Sequence, residues 1–516
     1  MDGHEIPINM EYVRDWMDTR YRHMYEGGIN FTPILINHVP REAEPGNPLI
    51  HPDTDLENNP MGLGAFNLMD EAGLRAYIAA IEFIADRYTR PDRKYGLISG
   101  IVIGNEIQSH WVWHNMGEAE PERVAEEYVW ALRIADLAAR RIHSDLKIYV
   151  SMEHHWTKRG HTNNILHETR GDELLTLINE WGHREGNFPW HLNHHPYPEN
   201  LFEPRFWRDR TATHRFDTPR ITYKNLEVLV EWMRQPEFLY DGEMRTIILG
   251  EQGFHTPDTE DGEKTQAAAF AYAHHKINHM PEIAAHIMHR HTSMRDEGGL
   301  ELGLWTWDPE DPAGARAHEK KYIWEVYKHA DTERQEEAFA FALPIIGIDS
   351  WDEALPNYDI DTTPAPHADD EAVFDFYTQM QDAELVNQDV PGSFRPEYVV
   401  VAAGWLAPAI FHHPPEEGVG QAHYAVSLPE VGDSEALMMR FETGFMAETS
   451  DGVGFSVLVD GETVLAVEQA TVDPIQRDID LGAFAGQEVT ITLQVDKLEE
   501  LSNDWALWIM PRITIE

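Results

Sequence analysis

Six short apolar runs alternate with amphipathic helical patterns between residue 30 and about residue 330, and this alternation limits the fold more than any other feature. Runs that are apolar along their length and separated by helices are typical of a parallel sheet buried on both faces. Six such β/α units in succession predict most of a (β/α)8, TIM-type barrel in the α/β class. The runs are NFTPILIN (30–37), LISGIVIGNE (97–106), LKIYVSMEHH (146–155), WHLNHH (190–195), RTIILGEQGF (245–254) and AAHIMHRHTS (284–293).

The barrel of this chain is expected to lack its first strands. A helical pattern over about residues 10–26 precedes the first run, and six runs are two fewer than a complete barrel needs. The strand at 30–37 would then expose backbone groups along an edge. We therefore expect either a segment upstream of Met1 or a partner to supply the missing strands.

The last part of the chain has a different pattern. From about residue 396, short alternating strands with turn signals, as in QEVTITLQVD and WALWIMPRITIE, predict an all-β sandwich of the jelly-roll type. We expect a barrel over residues 1–343, a linker and packing segment over 344–395, and a β-sandwich over 396–516. The sandwich is interpreted either as a carbohydrate-binding domain or as a structural lid.

Composition excludes several classes of protein. The 516 residues include no cysteine, which excludes disulfides, thiol nucleophiles and zinc–thiolate sites and fits an exported protein. The formal charge of −50 argues against nucleic acid and anionic membranes as partners, and it suits saline, marine surroundings in which salt screens self-repulsion. The N-terminus has no signal-peptide pattern. We nevertheless expect an extracellular or periplasmic protein.

Two glutamates stand where the second and fifth runs end. Because barrel chemistry takes place at the C-terminal ends of the strands, Glu106 and Glu251 can face each other across the barrel mouth. Retaining glycosidases use two carboxyl groups roughly 5–5.5 Å apart, one as acid/base and one as nucleophile. Indole rings stack on the C–H faces of sugars. Trp111 and Trp113, just beyond Glu106, are therefore expected to line sugar subsites, with Asn105 on a sugar 2-hydroxyl.

The order of three motifs resembles glycoside hydrolase clan A. The motifs are GNE at 104–106, HPY at 195–197 and GEQGF at 250–254, and the resemblance extends over about residues 10–330. It is nearest to a poorly characterised clan-A-like family with a C-terminal sandwich. One departure is that clan members often carry a substrate-binding arginine near the second strand, and this sequence shows no counterpart.

The resemblance implies a fold, a reaction and a set of site residues. It implies a retaining glycoside hydrolase that acts on a β-linked oligo- or polysaccharide with two glutamates, without a cofactor or a metal. The residues concerned are Glu106 as acid/base, Glu251 as nucleophile, Asn105 as partner of the 2-hydroxyl, Tyr197 as hydrogen-bond donor to the nucleophile, Trp305 as a subsite platform and His195 at the barrel mouth.

An arginine-rich loop after the fourth run favours an anionic substrate. The loop at 203–220 should overhang the active face, and it holds five arginines against three acidic residues in a strongly acidic chain. Arginine forks suit sulfate and carboxylate groups. With Arg290 and His155 as further substrate-binding candidates, this predicts a sulfated or uronate-containing algal polysaccharide. The alternative is that the loop arginines pair with nearby acids and stiffen the loop.

Two other function classes remain open from the sequence. His289 and His291 stand two apart on one predicted strand, so that they project to the same side. With His154, His194 and Asp308 they could bind a metal ion in a metal-dependent barrel hydrolase. The other class is a glycan-binding protein without catalytic activity.

Overall fold

The chain forms two compact units, Met1–Thr363 and Pro364–Glu516, each with its own hydrophobic core. No helix within the described ranges is both long and apolar enough to cross a membrane. Residues 364–371 and 389–390 of the predicted linker lie outside the described residues. The computed structural model describes residues 6–516 without residues 41, 44–45, 161–163, 364–371, 389–390, 402–405, 433, 447–451, 499–500 and 502–503.

The first unit alternates strands and helices along the chain. Its helices are α1 (Met10–Tyr12), α2 (Thr19–Glu26), α3 (Glu71–Tyr88), α4 (His110–Trp113), α5 (Pro121–Arg140), α6 (Gly171–Arg184), α7 (Leu226–Met233), α8 (Gly262–Ile277), α9 (Tyr322–His329), α10 (Gln335–Phe339) and α11 (Leu343–Ile346), with a π-helical stretch at Val13–Asp18. Its strands are β1 (Ile34–Leu35), β2 (Asn37–His38), β3 (Leu63–Gly64), β4 (Gly100–Ile103), β5 (Lys147–Glu153), β6 (Trp190–His195), β7 (Ile247–Gln252), β8 (Ile283–Met288), β9 (Trp305–Trp307) and β10 (Ala317–Lys320).

Six of these strands form one parallel sheet in the order β1-β4-β5-β6-β7-β8. The register pairs Ile101 of β4 with Ile148 of β5, and Val150 of β5 with Leu192 of β6. Long helices precede and follow the strands, as a parallel sheet requires. The mixed α/β fold with a parallel sheet, which the apolar runs predicted, is therefore confirmed.

The two faces of the parallel sheet belong to different apolar clusters. Val102, Tyr149 and Ile248 come from β4, β5 and β7 and form a small cluster with Ala285 of β8 on the inner face. The alternate residues, such as Ile148, face the helices in the main core. Because side chains alternate along a strand, this division follows from the nearly continuous apolar runs of the sequence.

The sheet has two open edges. Among the described residues, β1 pairs only with β4 and β8 pairs only with β7, so the six strands do not close into a ring. Apolar side chains are exposed at both edges, with Ile34 37 % exposed beside β4 and Ile287 43 % exposed on β8. The sheet is therefore a half barrel whose C-terminal strand ends still meet at one mouth.

The second unit consists of two antiparallel sheets. One has the order β13-β14-β21-β16-β19, to which β11 adds through β21, and the other has the order β12-β15-β20-β17-β18. The strands are β11 (Ala372–Asp375), β12 (Glu384–Val386), β13 (Phe394–Val400), β14 (Leu406–His412), β15 (Gly420–Ser427), β16 (Leu437–Phe445), β17 (Val453–Val459), β18 (Glu462–Gln469), β19 (Ile475–Asp480), β20 (Glu488–Lys497) and β21 (Ala506–Ile515).

Residues from both sheets share the core of the second unit. Phe441 from one sheet and Phe455 from the other both pack against the buried indole of Trp508. β11 and β12 precede residue 396, yet they pair with β21 and β15 of the two sheets. Part of the segment interpreted as a linker therefore completes the antiparallel sheets.

Candidate active site

A strained turn after β4 positions Glu106. Gly104 has φ +71°, and a Cβ atom there would lie 2.6 Å from Ile107 Cδ1, so the turn requires glycine. Glu106 itself has φ 41° and ψ 57°, a left-handed conformation that costs a non-glycine residue on the order of 1 kcal/mol. The Glu106 backbone N–H donates to Ser151 Oγ (3.0 Å) on β5, which holds the turn in place.

Helix α5 and the segment after β4 fix the neighbouring strand ends. The Tyr128 hydroxyl donates to the carbonyl oxygen of Ile103 (2.6 Å) and accepts from the Ser151 backbone N–H (3.2 Å). The buried Gln108 amide donates to the carbonyl oxygens of Glu153 (3.1 Å) and His155 (2.7 Å). Satisfied buried polar groups of this kind make an arrangement rigid. The ends of β4 and β5 are therefore held together by side chains.

Glu106 is buried and hydrogen-bonded to a histidine of β6. His195 Nδ1 lies 2.8 Å from Glu106 Oε1, and Asn193 Nδ2 donates to His195 Nε2 (3.0 Å). A neutral imidazole that accepts at Nε2 carries its proton at Nδ1 and donates it to the carboxyl group. Asn193 and His195 therefore fix the orientation of the Glu106 carboxyl.

Glu251 lies on β7, close to Glu106. The Tyr197 hydroxyl donates to Glu251 Oε1 at 3.3 Å. One side-chain nitrogen or oxygen atom from each of Glu106, His195 and Glu251 lies within 4.8 Å of the other two. Gly250 makes room for this packing, because a Cβ atom there would lie 2.1 Å from Asn193 Oδ1. The two carboxyl groups that the sequence places on separate strands are thus brought together at one end of the sheet.

The two carboxyl groups have different surroundings. Burial raises the pKa of Glu106, and the nearby charges of Glu251 and Glu153 raise it further, although the hydrogen bond from His195 opposes the shift. Glu251 is only partly buried and accepts from Tyr197. A carboxyl group with a raised pKa can serve as a proton donor.

The candidate substrate residues near Glu106 have few internal partners. Asn105 is 9 % exposed, and its Oδ1 has no hydrogen-bond partner among the described residues. Trp111 stacks on His167 with ring centroids 3.9 Å apart, so one face of the indole is covered. The Trp113 indole N–H is buried and finds no acceptor within the part of the chain that is described.

Arg290 and Trp305 lie beyond the end of β8 in two different environments. Arg290 donates to Glu297 Oε1 (3.1 Å), so its charge is partly compensated within the chain. The Trp305 ring packs edge-on against Trp324, with ring centroids 6.2 Å apart, and Lys320 Nζ lies 5.4 Å from its centroid. Both side chains are partly buried.

A second polar cluster surrounds Glu153 at the end of β5. The backbone N–H of His155 donates to Glu153 Oε2 (3.0 Å), and His155 Nδ1 lies 2.5 Å from the same oxygen. One ligand atom each of Glu153, His154 and His155 lie within 4.8 Å of one another, as a metal site would need. The positive charges of Lys158 and Arg220 act on this cluster and oppose a divalent cation there.

The residues of the predicted metal site each have a separate partner instead of converging. His154 Nδ1 lies 2.9 Å from the Tyr197 carbonyl oxygen, and His194 Nε2 lies 3.0 Å from that of Ile221. His289 Nε2 bonds Glu297 Oε1 at 2.7 Å. The remaining contacts of this set are an ion pair of Asp308 with Arg316 at 2.5 Å and a ring contact of His291 with Trp305.

Two arginines of the loop at 203–220, Arg205 and Arg215, pair with acidic residues. Arg205 Nε donates to Glu203 Oε1 at 2.6 Å. Arg215 Nε donates to Asp217 Oδ1 at 2.8 Å, and its Nη1 bonds Asp361. These pairs agree with the interpretation of a stiffened loop. The exposed arginines of this loop are Arg208 and Arg210.

Sequence reasoning did not single out three residues that contribute to the site. Asn193 orients His195, and the charge of Glu153 acts on Glu106 and on the third residue, Lys158. The position of Asn193 and Glu153 at strand ends was a usable signal. Lys158 gave none, because it lies in a loop without periodicity.

Comparisons with known proteins give a family for this chain. A family model described as "Family of unknown function (DUF5722)" matches residues 1–354, and no curated protein matches the sequence. CBM51-2 with INT domains of ZmpB from Clostridium perfringens, in complex with GlcNAc, is 14 % identical with a TM-score of 0.19 over 25 % of this chain. This chain spans only 29 % of the length of that protein.

Two glycoside hydrolase structures are similar over more of the chain. A family 39 glycoside hydrolase from Bacteroides cellulosilyticus WH2 is 11 % identical with a TM-score of 0.38, over 93 % of this chain and 72 % of that one. The BuGH86 structure in complex with neoagarooctaose is 10 % identical with a TM-score of 0.39, over 96 % of this chain and 83 % of that one. Both TM-scores are below 0.5, so neither likeness contributes to the function proposed for this chain.

Proposed function

The chain belongs to DUF5722, a family of unknown function, and for this member we propose a retaining glycoside hydrolase that acts on a β-linked oligo- or polysaccharide. One observation carries the proposal. Glu106 and Glu251 stand at the C-terminal ends of two parallel strands with carboxylate oxygens within 4.8 Å of each other. Retaining enzymes have carboxyl groups about 5–5.5 Å apart, and inverting enzymes leave about 6.5–9.5 Å for a water molecule.

The proposed reaction uses the two glutamates in turn. Glu251 attacks the anomeric carbon and forms a covalent glycosyl-enzyme, while Glu106 gives its proton to the departing glycosidic oxygen. Glu106 then takes a proton from water, which attacks the same carbon and releases the sugar with its configuration retained. Burial of Glu106 and the hydrogen bond from Tyr197 to Glu251 support this assignment of roles.

Other polar groups at the mouth have supporting roles in the proposal. The unpartnered Oδ1 of Asn105 is an acceptor for a sugar hydroxyl, and the 2-hydroxyl is the group we propose for it. His195 is a positioning residue, because its Nδ1 lies 2.8 Å from Glu106 Oε1 and directs the carboxyl group. Trp111, Trp113 and Trp305 are proposed to line the subsites, since indole rings stack on sugar faces.

Replacing the nucleophile gives the first test. Glu251→Ala should lower kcat on an aryl β-glycoside by at least about 10⁴-fold, because no covalent intermediate can form. Sodium azide should restore turnover and yield an α-glycosyl azide, identified by nuclear magnetic resonance. Tyr240→Phe, a change in a side chain that has no role in the proposed reaction, serves as the control.

Replacing the acid/base gives an independent readout. Glu106→Ala should slow substrates with poor leaving groups far more than activated aryl glycosides, because only poor leaving groups need the proton. With azide, this variant should give the β-glycosyl azide. Wild-type activity in both variants would refute the assignment of the two glutamates.

The proposal extends to the fold and the setting. We propose that the six parallel strands are strands three to eight of a (β/α)8 barrel, and that the second unit is an accessory jelly roll that binds glycan. The loop arginines and the chain's charge of −50 support a sulfated or uronate-containing algal polysaccharide as the substrate and saline surroundings as the setting. The absence of cysteine supports an extracellular or periplasmic location.

A further inference from the structure

Lys158 differs from every other lysine that is at least partly buried in the first unit. Its ammonium group makes no hydrogen bond or ion pair with any described residue. Four other lysines of this unit are partly or fully buried, and each donates to protein oxygens. Lys276 donates to two carbonyl oxygens at 2.7 and 3.0 Å, and Lys321 donates to Thr256, Glu301 and Ser293.

A partly buried lysine whose ammonium group has no partner in the protein requires an explanation. Lysine carries three N–H donors, and burying them without acceptors costs free energy. Burial and the charge of Arg220 lower the pKa of Lys158 to about 8, against the opposing influence of Glu153 and Glu168. The group is still mostly an ammonium ion at neutral pH. Its donors therefore stay available to a molecule that is not part of the chain.

Backbone pairing between two distant segments brings Arg220 next to the segment that leads to Lys158. Residues 154–157 pair with residues 218–221, through the bridge of His155 to Arg220 and the bond from the Ile221 N–H to the His154 carbonyl oxygen (2.8 Å). Arg220 uses Nη1 to donate to Thr211 Oγ1 (2.7 Å). Its Nε is buried and has no acceptor among the described residues.

This pair of cations lies close to the proposed reaction centre. Glu153 is the link. A Cβ atom on Gly160, two residues after Lys158, would lie 3.3 Å from Glu153 Oε1, and the adjacent His154 lies 2.9 Å from the carbonyl oxygen of Tyr197, whose hydroxyl donates to Glu251. The charge of Glu153 accordingly acts on Lys158 and also on Glu106 and His195. The Glu153 carboxylate is held by two donors of His155 and lies beyond ion-pair distance of Lys158. Glu153 therefore lowers the local positive charge and leaves the N–H donors of Lys158 available. Two cationic groups with unused N–H donors therefore lie at the mouth of the half barrel, in a strongly acidic protein.

We propose that Lys158 and Arg220 form a subsite that binds an anionic substituent, a sulfate ester or a carboxylate, on a sugar unit next to the bond that is cleaved. The inference rests on the proposed function, which supplies the sugar chain and the position of the cleaved bond. Both substituents present several acceptor oxygens to the two cations, and charge-assisted hydrogen bonds of this kind are stronger than neutral ones. The subsite differs from the exposed arginines Arg208 and Arg210 of the loop, which the sequence favoured for the same purpose.

The test measures binding in a background without turnover. Glu251→Gln carries a second change, either Lys158→Met, which removes the charge and keeps the length, or Lys158→Arg, which keeps the charge. Arg208→Ala with Arg210→Ala is the matched control, because it removes two exposed charges from the neighbouring loop. Dissociation constants are measured by calorimetry for a sulfated galactan, the same galactan after chemical desulfation, and a polyuronate. Buffer with 0.3 M NaCl suppresses long-range attraction.

We expect Lys158→Met to weaken binding of one anionic polymer by at least tenfold, and to change binding of the desulfated galactan by less than twofold. Lys158→Arg should retain most of the affinity. The loop control should lose less affinity for the anionic polymers than Lys158→Met, because its two arginines are exposed and solvent-exposed charges contribute little. A loss confined to the sulfated galactan assigns a sulfate ester, and a loss confined to the polyuronate assigns a carboxylate. Calorimetric unfolding of each variant, with an unchanged midpoint, shows that the fold is intact.

Three results would overturn the subsite. They are equal affinity of Lys158→Met and its parent for both anionic polymers, an equal loss on the desulfated galactan, and no binding of any polymer by the parent. A large loss in the loop control alone would transfer the anion site to Arg208 and Arg210. Because binding is measured without turnover, an absence of glycosidase activity in the wild-type protein would refute the proposed function and leave this result to be judged separately.

Discussion

Glu153 takes no part in the proposed bond cleavage, but its charge acts on the residue that does. Its carboxylate is one of two negative charges that raise the pKa of Glu106 beyond the effect of burial. It is kept in place by His155 and, through its backbone, by Gln108. A group that influences the acid without touching the substrate can be tested through the pH dependence of the reaction.

We expect Glu153→Gln to move the alkaline limb of kcat/KM to lower pH. The proposed acid must be protonated, so activity is lost as the pH rises through the pKa of Glu106. Removal of a neighbouring negative charge lowers that pKa, and the loss begins earlier. The measurement is a pH profile of kcat/KM on a neutral aryl glycoside.

Glu203→Gln is the matched control for this prediction. Glu203 is paired with Arg205 and is not among the charges that act on Glu106. Its replacement should leave the alkaline limb in place. A limb that stays unchanged in Glu153→Gln, or that moves to higher pH, would contradict the electrostatic role given to Glu153.

At the scale of elements, the turn between β4 and the following helix depends on one glycine. Gly104→Ala should lower the free energy of unfolding of the first unit by about 2–4 kcal/mol, because a left-handed φ costs about 1 kcal/mol and the clash with Ile107 costs about 1–3 kcal/mol more. The variant should also lose activity, since the turn carries Asn105 and Glu106. Calorimetric unfolding measures the stability, and an aryl glycoside assay measures the activity.

Gly28→Ala separates the two contributions. Gly28 also has a positive φ, +79°, but no atom lies within 4 Å of the position that a Cβ would occupy. The control should therefore lose only about 1 kcal/mol and keep its activity. Equal losses in the two variants would show that packing against Ile107 does not hold the turn.

The parallel sheet was predictable because its signal is local. The strands β4 to β7 each lie inside an apolar run, and β8 begins one residue before its run. Buried parallel strands need such runs. The same periodicity placed Glu106 and Glu251 at strand ends, where the residue types indicate chemistry. The roles of these residues remain predictions.

The rest of the site depends on contacts that sequence spacing does not contain. Arg220 comes near the segment that carries Lys158 only because two loops pair across about sixty residues of chain, through the bridge of His155 to Arg220. β11 and β12 are three or four residues long and lie in acidic, proline-containing sequence, so their alternation was too short to detect. Tertiary pairing decides such elements.

At the scale of the whole molecule, the boundary of the second unit can be tested directly. The segment 364–516 should fold alone with a cooperative thermal transition, because it contains its own core and all strands of both sheets. The shorter segment 396–516 lacks β11 and β12 and should be less stable or insoluble. Equal transitions for both segments would show that these two strands contribute nothing.

The folded segment also tests the proposed accessory role. Affinity electrophoresis in gels that contain a polysaccharide should show retardation on at least one glycan, with the heat-unfolded segment as the control. An unretarded band on every glycan would favour a purely structural role.

The charge of the whole chain predicts a response to salt. A formal charge of −50 destabilises a compact state through self-repulsion, and salt shortens the screening length from about 10 Å at 0.1 M to about 3 Å at 1 M. The midpoint of thermal unfolding should therefore rise between 0.02 and about 0.5 M salt and then level off. NaCl and KCl should act alike, and a flat or falling midpoint would contradict the prediction.

At high protein concentration, the open edges of the parallel sheet limit how much added salt can stabilise the protein. Among the described residues, β1 and β8 each leave one side unpaired, with Ile34 and Ile287 exposed beside them. Like charges keep such edges of neighbouring molecules apart in dilute salt. Salt that stabilises the fold by screening its own charges also screens the repulsion between molecules. Edge strands of two molecules can then approach to the pairing distance of about 4.8 Å. Concentrated solutions should thus resist aggregation longest at intermediate ionic strength, where salt already stabilises the fold and the molecules still repel one another.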